Sequence, residues 1–119
     1  MKKVLAPKSY KFALRIVSLY KLLTTERKEF VLSKQMLRGG TSVGAMIREA
    51  EHAQSRADFL NKMNIALKEI NETEYWLMLL KDSSYLNEIE FKSIHKDCDE
   101  IIRLLVSTVK TLKTSLKKN

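Results

Sequence analysis

The chain has 119 residues and a formal net charge of +8 at pH 7, and 45% of its residues are hydrophobic. A chain of this length can bury one hydrophobic core, but its three glycines and single proline are too few turn-formers for an all-β fold of many short strands. Cys98 is alone, which excludes an internal disulfide, and charged residues interrupt every apolar run before the roughly 20 residues needed to cross a bilayer. We therefore predict one helical domain over residues 1–119, with no membrane contact. The apolar run before Pro7 is too short for a signal peptide, so a cytoplasmic location is expected.

Hydrophobic spacing predicts the first two helices. Apolar residues recur every three or four positions after Ser9, a residue suited to a helix N-terminus, so helix one is predicted over residues 9–24. Thr25 is the predicted N-cap of helix two over residues 26–53, with Phe30 on its core face. The apolar stripe of helix one is Phe12, Ile16, Leu19, Tyr20 and Leu23.

Two capping sequences predict where the other helices begin. Ser55-Arg56-Ala57-Asp58 is similar to a capping box and starts helix three over residues 57–80, while Asn87 caps helix four over residues 87–117. The longest regular stripe belongs to helix four: Phe91, Ile94, Cys98, Ile101, Leu105, Val109, Leu112 and Leu116. Four amphipathic helices joined by short connections predict an all-α fold, an antiparallel up-down-up-down four-helix bundle.

All three glycines fall within helix two, where each costs about 1 kcal/mol relative to alanine. Gly40 and Gly44 are four residues apart and share a helix face, so their missing side chains allow a neighbouring backbone or a large side chain to approach closely. The large side chains that could pack against these glycines are Trp76, Tyr75 and Tyr20. Two alternatives stay open: a turn at residues 39–42 that splits the segment into two helices, or a kink within one continuous helix.

Positive charge is concentrated at the two ends of the chain. Residues 1–40 contain ten basic and two acidic residues, and no acidic residue follows Glu100. Because helix one begins and helix four ends at the same end of such a bundle, these cations form one patch that favours a polyanionic partner. The predicted contacts to RNA or DNA are Lys2, Lys3, Lys8, Lys11, Arg15, Lys110, Lys113, Lys117 and Lys118. Alternatively, the lysines only keep the frayed ends of the chain hydrated and interact with the dipole at the end of helix four, without binding a polyanion.

Aromatic residues are sparse around this patch. Only Tyr10 and Phe12 lie near the N-terminal lysines, so no row of aromatic side chains for stacking a single strand is predicted.

No catalytic or metal site is predicted. Glu49 and His52 have the Glu-x-x-His spacing of di-iron bundles, but the second copy that such a site needs is missing. His95 and Cys98 are two ligands without further partners, and Cys98 fits the core stripe of helix four. We therefore predict a protein that is not an enzyme and that carries no cofactor.

The segment between Gln35 and Leu80 carries a more specific pattern. Its elements are Thr41-Ser42-Val43-Gly44, Arg48-Glu49-Ala50, Asp58-Phe59, Ala66-Leu67-Lys68-Glu69 and Glu72-x-x-Tyr75-Trp76-Leu77. The pattern resembles the four-helix-bundle family of bacterial proteins encoded by intervening sequences of 23S ribosomal RNA genes. This resemblance implies a homo-oligomer, typically a pentamer. A related group of bundles, the accessory proteins of diversity-generating retroelements, binds nucleic acid together with a reverse transcriptase.

Charged and aromatic residues of the same segment suggest contacts between helices or subunits. Ion pairs between helices two and three, involving Arg38 and Glu69, are one possibility, and they would fix the register of the helices or the contacts between subunits. The alternative is an ordinary solvent-exposed face with local ion pairs. The residues predicted for helix packing or an oligomer interface are Gly40, Gly44, Arg48, Glu49, Glu72, Tyr75 and Trp76. The favoured function is a homo-oligomeric, non-enzymatic bundle that binds RNA or DNA through a basic surface. The alternative is an oligomeric scaffold or protein-interaction module without nucleic-acid binding.

Overall fold

Four long helices form the structure, a computed structural model that describes residues 3–117. They are α1 (Leu5–Thr25), α2 (Leu32–Ala50), α3 (Arg56–Asp82) and α4 (Glu88–Lys117). Helices that follow one another in the chain pack side by side, and α4 also contacts α1. The fold is therefore the all-α four-helix bundle that the hydrophobic spacing predicts, and its contacts fit an up-down-up-down order. Two of the predicted phosphate-contacting residues, Lys2 and Lys118, lie outside the described residues.

Helix α1 begins at Leu5, four residues before the predicted start. Pro7 is tolerated here because residues in the first helical turn have no carbonyl partner for their N–H groups. Ser9 therefore lies inside the helix rather than capping it, and its buried hydroxyl donates a hydrogen bond to the Ala6 carbonyl at 3.1 Å. The longer helix brings one more turn, including the buried Leu5, into contact with the core.

Helix α2 begins at Leu32, six residues later than predicted, and ends at Ala50 rather than residue 53. Thr25 does not cap it: this residue ends α1, where its hydroxyl donates to the Lys21 carbonyl at 2.6 Å. Glu29 instead holds the start of α2, because its carboxylate accepts hydrogen bonds from the backbone N–H groups of Val31, Leu32 and Ser33. Phe30 is thereby left in the connection, 59% exposed, and does not reach the core as predicted.

Helices α3 and α4 begin with the predicted caps. Ser55 Oγ accepts from the Asp58 backbone N–H at 3.0 Å. Asn87 and Glu90 form a reciprocal capping box, in which each side chain accepts a hydrogen bond from the backbone N–H of the other residue. Both helices begin within one residue of their predicted starts, while α3 ends at Asp82, two residues later than predicted.

The core lies along the bundle axis, and every helix contributes a buried stripe. From the predicted stripe of α4, five residues are buried: Ile94, Cys98, Ile101, Leu105 and Val109. Helix α2 is continuous through residues 39–42, so neither a turn nor a split occurs there. Its glycines do not face Trp76, Tyr75 or Tyr20. A β-carbon on Gly40 would lie 2.8 Å from Ile16 Cγ1, and one on Gly44 would lie 3.5 Å from the Ser9 carbonyl oxygen, so both glycines face α1.

Candidate functional site

The starts of α1 and α3 and the ends of α2 and α4 lie at one end of the bundle. Lys8 Nζ lies 2.8 Å from Glu100 Oε1, and α4 continues for seventeen residues beyond Glu100, whereas α1 begins three residues before Lys8. At the helical rise per residue, α4 therefore ends about 20 Å beyond the start of α1. The first turn of α3 covers this extension, since Arg56 Nη1 donates to Ser115 Oγ at 3.1 Å.

We call this part of the molecule the basic end and define it by seven cationic residues. None of the seven forms an ion pair with another residue of the range 3–117. They are Lys3, Lys11, Arg48, Arg56, Lys110, Lys113 and Lys117, all exposed. Five of them were predicted as phosphate contacts. Arg48 and Arg56 extend the set, because the last turn of α2 and the first turn of α3 reach the same end.

Acidic side chains at the basic end are few, and most are already engaged. Glu49 Oε1 lies 3.5 Å from Lys62 Nζ, and Asp58 Oδ2 accepts a hydrogen bond from the Gln54 backbone N–H at 3.2 Å. Glu51 is the remaining carboxylate of the segment that joins α2 to α3. The positive charge of the basic end is therefore only weakly compensated.

Two predicted phosphate contacts instead join α1 to α4. Lys8 pairs with Glu100, as described above, and Arg15 Nη1 lies 2.6 Å from Asp97 Oδ2. Arg15 also donates to Ser93 Oγ at 2.7 Å. Because these cations have carboxylate partners within the bundle, they contribute less free positive charge than the seven residues of the basic end.

The residues predicted for helix packing or an oligomer interface have different positions. Arg38 of α2 lies between Glu69 and Glu72 of α3, with N–O distances of 3.1 and 3.3 Å, so this ion pair does join helices two and three. Tyr75 is 55% exposed and contacts the partly buried Trp76 edge to face. Arg48 is exposed and lies at the basic end.

The cysteine and the histidines do not assemble a reactive site. Burial, together with the nearby Glu74 and Asp99 carboxylates, raises the pKa of the Cys98 thiol to about 12. His95 Nε2 lies 2.8 Å from Glu74 Oε2, while the Cys98 thiol donates to the Ile70 carbonyl at 3.9 Å. Within residues 3–117, no group of three or more His, Cys, Asp or Glu side chains is placed to hold a metal ion.

Two shallow grooves lie beside α1. One, of about 620 Å³, runs between α1 and α4 and is largely apolar, with the exposed side chains of Leu14 and Ile89 among its walls. The other, of about 490 Å³, runs between α1 and α2 at the basic end and includes Tyr10 and Arg48. Neither groove could be predicted from the sequence, because each depends on the spacing of two helices.

The sequence of this bundle matches a known family. The sequence model of the family described as 23S rRNA-intervening sequence protein matches residues 3–107. The chain belongs to this family. A solved crystal structure, described as a protein with unknown function from the S23 ribosomal protein family from Bacteroides thetaiotaomicron, is 62% identical over 90% of this chain and 96% of that chain, with a TM-score of 0.88. A comparison with curated proteins gave no match.

The description of the 23S rRNA-intervening sequence family names no enzymatic activity, and neither does that of the Bacteroides protein. In the described part of this family member, no helix combines the length and the apolar character required to cross a membrane.

Proposed function

We propose that this member of the 23S rRNA-intervening sequence family is a cytoplasmic, non-enzymatic homo-oligomer that binds RNA or DNA through its basic end. The observation that carries the proposal is a set of seven exposed cations toward the end of the bundle where α1 begins and α4 ends, none with a carboxylate partner among the described residues. The ion pairs of Lys8 and Arg15 partly neutralise those two cations, so they add less to this surface than the seven do.

The expected mode of binding is electrostatic. A lysine or arginine that neutralises a phosphate releases condensed counterions, so the affinity falls as the salt concentration rises. The cations extend along α4 from Lys110 to Lys117, a rise of about 10 Å that matches two or three successive phosphates of an extended strand. Such contacts carry no sequence information, so we expect little base preference from the basic end itself.

Self-association is supported by exposed apolar side chains on α3. Tyr75 and Met78 are 55% and 47% exposed, and their spacing of three residues places them on one face of the helix. A surface of this kind suits contact with a second copy. We propose a homo-oligomer, with five copies as the number typical of the family that the sequence resembles. Each added copy contributes another basic end and increases avidity for a long polyanion.

Fluorescence anisotropy with a labelled RNA tests the nucleic-acid part of the proposal, at about 50 and about 200 mM salt. For four phosphate contacts, the affinity should fall by about 50-fold between the two salt concentrations. The triple variant Lys110→Glu/Lys113→Glu/Lys117→Glu should lose most of the binding and most of this salt dependence. The control Lys21→Glu/Lys34→Glu/Lys96→Glu makes the same charge change at exposed lysines outside the basic end and should bind as the wild type does.

The result that overturns nucleic-acid binding is a folded wild type that shows no change in anisotropy with RNA or DNA at either salt concentration. Equal loss of binding in the two triple variants would also contradict it, since that result would show dependence on net charge alone. Light scattering of the same samples gives the mass of the assembly. An oligomer that does not bind nucleic acid would favour the alternative function, an oligomeric scaffold or protein-interaction module.

A further inference from the structure

The groove between α1 and α2 has an aromatic side chain at its edge and a floor of small residues. Tyr10 is 63% exposed and lines the groove, which has a volume of about 490 Å³. Ala6, Ala13, Gly44 and Ala45 line the groove with little or no side chain, and the polar Ser9 and Thr41 lie beside them. A flat aromatic ring beside a shallow depression lined by small side chains suits a planar ligand.

Packing of the helices requires glycine less strictly at position 44 than at positions 39 and 40. The other two glycines of α2 are required to be small, since a β-carbon on Gly39 or Gly40 would lie within 3.0 Å of a side-chain atom of α3 or α1. By contrast, a β-carbon on Gly44 would make only ordinary contacts of 3.5 Å with Ser9. Gly44 is half-buried and lines the groove, and the helix would tolerate alanine at this position.

The charged side chains around the groove indicate where a base and where phosphates could bind. Arg48 lines the groove, and Lys11 follows Tyr10 on the exposed face of α1; both belong to the basic end. Glu51 also lines the groove, beside His52, and its carboxylate disfavours a phosphate inside the depression. An uncharged planar group therefore suits the floor, while anionic groups suit the rim.

We infer that this groove holds one unpaired base of a single-stranded nucleic acid, stacked on Tyr10, while Arg48 and Lys11 contact the flanking phosphates. The inference rests on the proposed function and adds to it a preference for single strands. A base inside an intact duplex has both faces covered by its neighbours, so it reaches the ring only after unstacking. Because every base has a flat aromatic face, the site accepts RNA or DNA of many sequences. A single tyrosine forms a one-base site and not the row of aromatic residues that a continuous stacking surface would need.

The test compares Tyr10 variants by fluorescence anisotropy with oligouridine, with oligothymidine and with a blunt duplex of equal phosphate number. Tyr10→Ala should lower the affinity for both single strands by roughly tenfold or more, and Tyr10→Phe should retain it, since stacking needs the ring and not the hydroxyl. Binding of the duplex should be unchanged by either variant. The matched control is Phe30→Ala, which removes an aromatic side chain of similar exposure, 59% against 63%, from the connection at the opposite end of the bundle.

Two further readouts distinguish stacking from charge. The loss caused by Tyr10→Ala should be the same factor at low and high salt, whereas the triple lysine variant should flatten the salt dependence. An oligomer of abasic sites with the same number of phosphates should bind wild type and Tyr10→Ala equally. If Tyr10→Ala binds single strands as the wild type does while the triple lysine variant loses binding, the proposed base site is wrong, whereas nucleic-acid binding by the basic end is supported. A wild type that binds no nucleic acid overturns both.

Discussion

Gly39 of α2 lies so close to Thr73 of α3 that a β-carbon added to Gly39 would be 2.6 Å from Thr73 Oγ1. The Thr73 hydroxyl is held in place, because it donates to the Glu69 carbonyl at 2.7 Å. One residue further along, Gly40 has the same relationship with Ile16 of α1. The two glycines thus let α2 approach both of its neighbours, and this packing offsets their low helix propensity.

Alanine substitutions should separate the three glycines by their effects on stability. Gly39→Ala and Gly40→Ala should each lower the free energy of unfolding by about 1–3 kcal/mol, because neighbouring side chains must move. Gly44→Ala should raise it by up to about 1 kcal/mol, since the added methyl group makes only ordinary contacts of 3.5 Å with Ser9 and alanine favours the helix. Urea denaturation followed by circular dichroism measures all three. In the Gly39→Ala background, Thr73→Ala should restore part of the loss; three equal effects would contradict this account.

The four helices, the starts of α3 and α4 and much of the core follow from the sequence. The stripe from Ile94 to Val109 is buried as its spacing predicts, because a period of three and four residues leaves one side of a helix apolar. The partners of the glycines could not be predicted in the same way. Which residue of α1 faces Gly40 depends on the axial offset of two helices, and that offset is set by connection geometry and by the packing of the whole core.

The connection between α1 and α2 shows a second limit of the sequence. Thr25 is a common N-cap residue, whereas glutamate rarely caps a helix, so the propensities favoured the wrong position. The chain instead reverses through Lys28, which has a positive φ of 56°, and this places Glu29 beneath the first turn of α2. The candidate site shows the same limit. Charge runs predicted five members of the basic end, but Arg48 and Arg56 join it only through the three-dimensional arrangement of α2 and α3.

Replacing Glu29 with alanine should destabilise the bundle by about 2 kcal/mol or more. Burial alone raises the pKa of the Glu29 carboxyl, but hydrogen bonds donated by the backbone N–H groups of Leu32, Ser33 and Val31 outweigh burial and lower it. Without the carboxylate, those donors at the start of α2 lose their partner. Urea denaturation gives the change in free energy. The control is Glu26→Ala, at an exposed position beside the end of α1, which should change stability by less than about 0.5 kcal/mol. Equal losses of stability in the two variants would show that Glu29 does not cap the start of α2.

The Cys98 thiol should be unreactive in the folded protein. It is fully buried, and its pKa of about 12 leaves almost no thiolate near neutral pH. A thiol reagent such as Ellman's reagent should therefore label it only through unfolding, at a rate that rises with urea in parallel with the loss of helical signal. Cys98→Ala provides the blank for the reagent. Rapid labelling in the absence of denaturant would contradict the buried position.

The Arg27–Glu90 pair should make the bundle less stable in acid. Two guanidinium nitrogens of Arg27 donate to the two Glu90 carboxylate oxygens at 2.8 and 2.6 Å. These bonds, with a further one from the Asn87 backbone N–H, lower the pKa of Glu90 to about 2 from its ordinary 4.5. A lowered pKa in the folded state means that the stabilisation is complete above the unfolded value of 4.5 and disappears as the pH falls towards 2.

Urea denaturation across this pH range measures the contribution of the pair. The side chain of Glu90 is 27% exposed, so solvent screening limits the stabilisation to about 2 kcal/mol. Glu90→Gln keeps a side chain able to complete the capping box with Asn87 but removes the charge that Arg27 binds. Its free energy of unfolding should lie about 2 kcal/mol below that of the wild type at neutral pH and approach the wild-type value in strong acid. Glu29, whose carboxyl pKa is also lowered, leaves some acid sensitivity in the variant. Parallel curves for the two proteins, offset by a constant amount at every pH, would show that the loss comes from packing and not from ionisation of Glu90.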